Sequence, residues 1–175
     1  HFLRPLDRVN AGWFTATVRE NFPAVCIITF GDAQSLLSIN SDKDPSGNIS
    51  AIHIQSSGRA SSTALQGWSL SPLLVAKVLQ QSEGELRYNT DLAIYPRANS
   101  NGLLASWKFE SDLLGLSVDL PEPLQKQADE TRELSFSMDF RADSTGLGLE
   151  YDALASMEAE LGEQGITNGH IHFGP

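Results

Sequence analysis

Two histidines lie two residues apart in Asn168-Gly169-His170-Ile171-His172-Phe173. On a strand both rings share one face, a spacing at which two imidazoles hold a metal once a third ligand joins them. Neither a cysteine nor an Asp or Glu at ligand spacing supplies that third group. The pair therefore reads as a polar strand face backed by Ile171 and Phe173, and His53, between Ile52 and Ile54, reads the same way. Serines are plentiful, but no Gly-x-Ser-x-Gly elbow presents one as a nucleophile; Ser56-Ser57-Gly58-Arg59 is expected to be a strand-to-helix turn. Asp112 with Asp119, and Glu158 with Glu160, have the residue types of a glycosidase couple, yet an acidic chain produces such pairs by chance. Gly146-Leu147-Gly148-Leu149 lacks the third glycine and the following helix of a phosphate loop, so it reads as strand or turn. Trp13, Trp68 and Trp107 are too scattered for a stacking platform. No catalytic residue, metal or cofactor is expected.

The elements that would position these residues are those of one domain. The chain has 175 residues, 41% apolar and 19% charged, enough to bury a core. Its 22 acidic residues against 12 basic ones, a net charge of −10, argue against nucleic acid or an anionic membrane as a bulk electrostatic partner. Cys26, the single cysteine, rules out an internal disulfide. No run approaches the ~20 apolar residues of a membrane-spanning helix. The chain opens on His1 without a signal segment, as expected of a processed product or a piece of a longer chain.

Most of the chain alternates with period two, the mark of strands with one wet and one dry face. Leu134, Phe136, Met138 and Phe140 alternate with Glu133, Ser135, Ser137, Asp139 and Arg141; Leu147, Leu149 and Tyr151 follow the same rule. Leu86, Tyr88, Leu92 and Ile94 face Leu103, Ala105, Trp107 and Phe109 across the Asn99-Ser100-Asn101-Gly102 turn, a β-hairpin. Phe14–Val18, Ala24–Phe30, and the stretches 34–40 and 48–55 around Asp42–Gly47 are expected strands, as are 153–161 and 166–173 around Gly162–Gly165. Residues 61–81 suit two short helices, jointed at 67–71, with Ser71 capping before Pro72. Four strands, a helix pair and about six more strands favour an antiparallel meander over a βαβ fold. Their apolar faces suit a closed two-layer sandwich, the ordinary outcome for such strands, or an uncovered trough.

A longer pattern bears on that choice. Ser111-Asp112-Leu113-Leu114-Gly115-Leu116-Ser117-Val118-Asp119-Leu120-Pro121-Glu122-Pro123-Leu124-Gln125-Lys126, followed by Glu130-Thr131-Arg132-Glu133-Leu134, resembles the SDL-x-G…DLP-x-PL-x-K…E-x-R-x-L signature of AsmA-like proteins of the YhdP type. Ser57-Gly58-Arg59-Ala60 leading to Gly84, and Gly169–Gly174 near the end, agree in order. Gln125 stands where that family has a glycine, and Asn168 where an arginine is common.

The resemblance implies a mainly β fold: a curved antiparallel β-meander forming a groove, taco-like, with a short helix pair inserted. Residues 1–175 would form one β-groove fragment, with strands over 1–57, the helix pair over 58–82 and strands over 83–175. It implies a non-enzymatic segment of a periplasmic lipid conduit, held at the inner membrane by an anchor outside this chain. Related TamB and bridge-like lipid-transfer proteins carry phospholipid in the same manner. The partners implied are phospholipid and neighbouring β-groove segments. The candidate lining is Leu86, Tyr88, Leu92, Ile94, Leu103, Trp107, Phe109, Leu134, Phe136, Met138, Phe140, Leu147 and Leu149. The alternative is a closed-core β-sandwich that is structural or binds a partner.

Overall fold

The computed structural model describes residues 9–10, 14–18, 24–30, 33–66, 73–163 and 165–174. Five strands come first: β1 Val9–Asn10, β2 Phe14–Val18, β3 Ala24–Phe30, β4 Ala33–Lys43 and β5 Ile49–Ser61. Helices α1 Ser62–Gln66 and α2 Leu73–Gln80 follow. Then come β6 Ser82–Ile94, β7 Ala105–Ser111, β8 Leu116–Val118, β9 Leu134–Phe140, β10 Thr145–Tyr151, β11 Ala155–Gly162 and β12 Gly165–Phe173. Every pairing is antiparallel. The strands lie side by side in chain order from β1 to β12, except that β8 leaves the row and pairs with the start of β6. β1 and β12 are opposite edges of this open sheet, so the fold is a mainly β meander with a helix pair inserted. Among the described residues there is no second stacked sheet, so the two-layer sandwich is not the arrangement found.

The turns form where the sequence places them. Asp44 accepts backbone N–H bonds from Ser46 (2.8 Å) and Asn48 (2.9 Å), closing the β4–β5 turn. Those bonds, the one from Asn48 foremost, hold its carboxyl below the ordinary aspartate value. Asn99 likewise accepts from the backbone of Asn101 and Leu103 at 2.9 and 3.0 Å. Ser61 caps α1, its hydroxyl accepting from the Ala64 N–H at 3.1 Å. The strand-to-helix change thus falls at Ser61, and Ser56–Arg59, expected as that turn, lies inside β5. The helical part of the expected 58–82 insert is correspondingly shorter. The expected joint at 67–71 and the Ser71 cap lie outside the described residues.

Sequence periodicity gave no sign of β8. It sits in an excursion between β7 and β9, and its neighbour is reached through two glycines. Gly84 has φ 108° and Gly115 φ 96°; a methyl group on Gly84 would lie 2.2 Å from the Gly115 carbonyl oxygen, and one on Gly115 2.5 Å from that of Glu85. Each therefore needs both a backbone region disfavoured for other residues and the space a side chain would fill. Gly102 has φ 74° and open surroundings. Gly84→Ala or Gly115→Ala is expected to lower unfolding free energy by about 2 kcal/mol or more, and Gly102→Ala by only about 1 kcal/mol. Urea denaturation followed by circular dichroism measures the difference, and equal losses would refute the close approach.

Candidate functional site

The pairing registers decide which side chains share a face. Cross-strand partners point to the same side, so the alternation can be followed from strand to strand. Leu92 pairs with Trp107, Trp107 with Met138, Met138 with Leu147, Leu147 with Ala159. In the next row but one, Thr90 pairs with Phe109, Phe109 with Phe136, Phe136 with Leu149, Leu149 with Met157 and Met157 with Ile171. Ile54 and Ile52 join the same face from β5, opposite Leu92 and Ile94. Twelve of the thirteen candidate lining residues thus lie on one continuous face. Leu103 is the exception: it precedes β7 in the turn arm and is buried there.

A β-bulge preserves this continuity at the far edge. Ile166 and Ile171 are five apart, an odd spacing that would put them on opposite faces. The register shifts between Glu160 and Leu161, so that Leu161 meets Ile166 and Thr167 is the extra residue. Ile166 thereby returns to the apolar side. On β12 this face is open to water: Ile166, Ile171 and Phe173 are 73%, 58% and 65% exposed.

The opposite end is sealed. Ala60, Leu65, Leu86, Phe109, Leu113, Leu116 and Val118 form a buried cluster in which α1 supplies Leu65 and the β7–β9 excursion supplies Leu113, Leu116 and Val118. Leu79 of α2 packs against it, and Gln66 donates a 2.7 Å bond to the Leu79 carbonyl, tying the helices together. Leu86 and Phe109, candidate lining residues, are core here. From this core an aromatic series leads outward: Tyr88 stacks on Phe109 at 5.9 Å, and Trp107 meets Phe136 edge-on at 5.6 Å. From β9 to β11 the apolar side chains are half-buried, while α1 packs on β5 and β6 and α2 on α1 and β6.

The polar face carries the ion pairs. His53 lies 3.3 Å from Asp42 and 3.2 Å from Asp91, Arg87 is 2.7 Å from Asp112, and His170 is 3.4 Å from Glu158. The candidate glycosidase carboxylates Asp112 and Glu158 are thus partners of basic groups. Among the described residues no three His, Cys, Asp or Glu side chains gather as a metal cluster. A concavity of about 780 Å³ opens on this side, lined by Arg59, Arg87, Glu110, Asp112, Glu133, Glu150 and Asp152 among others. Five carboxylates against two guanidiniums suit neither an acyl chain nor an anion.

The signature residues turn out to hold the excursion in place. Lys126 is 1% exposed, and its ammonium donates to the Leu116 carbonyl at 2.8 Å and the Gln127 carbonyl at 2.9 Å. Burial pushes its pKa below the ordinary lysine value. Arg132 donates to the Pro123 carbonyl at 3.0 Å and lies over the Tyr151 ring at 5.8 Å, while Glu130 accepts the Gln127 N–H at 3.0 Å. Asp119–Pro123 is the turn leaving β8, as its prolines indicate, after which Val118 bridges back to Lys126. The buried lysine had no periodic signal; only its place in the signature marked it.

No protein-family model, curated protein or solved structure matches this chain. No helix among the described residues is long and apolar enough to cross a membrane.

Lys126→Met keeps the buried stem but strands the Leu116 carbonyl oxygen and takes the charged donor from the Gln127 carbonyl, which keeps only the Glu130 N–H at 3.2 Å. It is expected to cost about 2 kcal/mol, measured by urea unfolding. An unchanged midpoint would mean that the ammonium contributes nothing net to holding the excursion.

Proposed function

We propose that the open apolar face carries the hydrocarbon tails of phospholipids through water, and that the chain is a segment of a lipid conduit. The observation supporting this is the shared face itself. Strand after strand contributes Leu, Ile, Phe, Met or Trp to one side of an open sheet, which becomes solvent-exposed at β12. A folded chain does not normally leave so extended an oily surface in water without a use for it.

The dimensions suit the task. The strands from β5 to β12 that share the sheet row span about 29 Å across the ladder, longer than an extended acyl chain. Each methylene shielded from water contributes ~0.8 kcal/mol, without directional contacts to fix a tail at one point. Tails can thus shift along the face at small cost while remaining out of water. The wet face, rich in carboxylates and serines, keeps the outside soluble. The signature at 111–134 favours the same reading: a YhdP-like segment working in the periplasm, between an inner-membrane anchor and the outer membrane, continued by neighbouring β-groove segments.

The test is photocrosslinking of the purified protein to phospholipid, with copurifying lipid identified by mass spectrometry. Met138→Asp and Leu149→Asp place a charge on the floor and should abolish crosslinking, while Ser137→Asp on the wet face should leave it unchanged. Full crosslinking in floor variants with unaltered circular dichroism would overturn the proposal. Loss of fold in both floor variants, together with no lipid on the parent protein, would favour a structural domain instead.

A further inference from the structure

The apolar floor is crossed by one row of hydroxyls. Ser35 of β4, Ser56 of β5 and Tyr88 and Thr90 of β6 all lie on the oily side, as the registers Ser35 with Gly58, Gly58 with Tyr88, and Ser56 with Thr90 require. Ser35 Oγ and Tyr88 OH share a 2.6 Å hydrogen bond, Ser56 Oγ lies 3.5 Å from the same Tyr88 OH, and the Trp107 indole N–H donates to Thr90 Oγ1. We propose that this row is a docking station for the ester carbonyls of a diacyl lipid. The inference rests on the conduit reading of the same face and adds the place where the polar part of the lipid sits.

Hydrogen counting supports the choice of ligand chemistry. Ser35, Ser56 and Tyr88 bring three hydroxyl hydrogens to two mutual contacts, so one O–H remains to donate. Thr90 accepts from Trp107, which leaves its own O–H as a second donor, directly opposite Ser56. Two spare donors and no ionised side chain call for an uncharged acceptor. A phosphate would meet no cation here, because Arg59 and Arg87 stand opposite each other in the ladder on the other face, where Arg87 meets Asp112. An ester carbonyl is an uncharged acceptor joined directly to a hydrocarbon chain. Beside the row, Leu92 and Trp107 begin the open floor, whereas toward Leu86 the sealed core stops a tail. A lipid whose carbonyls rest on Ser56 and Thr90 therefore lays its tails toward Met138.

The experiment compares a diester phosphatidylcholine with its diether analogue of equal chain length, each presented to the purified full chain and measured by competition for photocrosslinking. The diester is expected to bind about thirtyfold more tightly, the factor that two neutral hydrogen bonds, one from each donor, make. Thr90→Val combined with Ser56→Ala should bring the diester to the level of the diether. Equal binding of both lipids by the unaltered protein would overturn the docking station and leave the conduit reading standing. A preference that survives in a folded double variant would also overturn it. Failure of both lipids to bind would remove the conduit reading itself. The diester–diether comparison needs no variant, so it decides even if the double variant does not fold.

Discussion

An antiparallel ladder transmits parity. Once one strand commits its odd or even residues to the oily side, each neighbour in register must do the same, or place a polar group in the apolar layer. From β5 to β12 this chain obeys that constraint, with a bulge at Thr167 restoring parity where the spacing of isoleucines would break it. The single apolar face, the opposite belt of carboxylates and histidines, and the absence of a stacked sheet among the described residues all depend on it.

The two ends of that face receive different treatment. At β6 the excursion between β7 and β9 folds over it, and Leu65 of α1 completes a small core. This closure rests on polar devices rather than on more oil. Two glycines let backbones approach, and Lys126 is taken almost entirely out of water to bind two carbonyls. A buried ammonium held by carbonyls rather than by a bonded carboxylate is costly, and carbonyl oxygens offset that cost only when the loop is held in one conformation. The arrangement therefore fixes where the sealed region stops and the open floor begins.

Hydroxyls on the open side are compatible with an oily floor because they are neutral and mostly satisfy one another. Outside the excursion that carries Lys126 and Arg132, the ion pairs lie on the wet side, where His53 spans Asp42 and Asp91 and Arg87 meets Asp112. The division of labour is thus by charge rather than by polarity alone. The concavity on the wet side, with its excess of carboxylates, is a consequence of that segregation.

Much of this was legible in the residues. Period two in Leu134–Phe140 and Thr145–Tyr151, the turn residues Asp44 and Asn99, and the helical spacing after Ser61 each report local physics, and each named its element. What the residues left open was whatever depended on distant contacts. β8 is too short to show a period, Ser56–Arg59 looks like a turn until its pairing with β6 extends the strand, and Leu86 and Phe109 cannot be told from floor residues until the excursion is seen above them. Alternation determines that an apolar face exists, because it follows from backbone geometry two residues at a time. Whether that face is covered depends on where the loop between β7 and β9 comes to rest, and only the tertiary structure decided it.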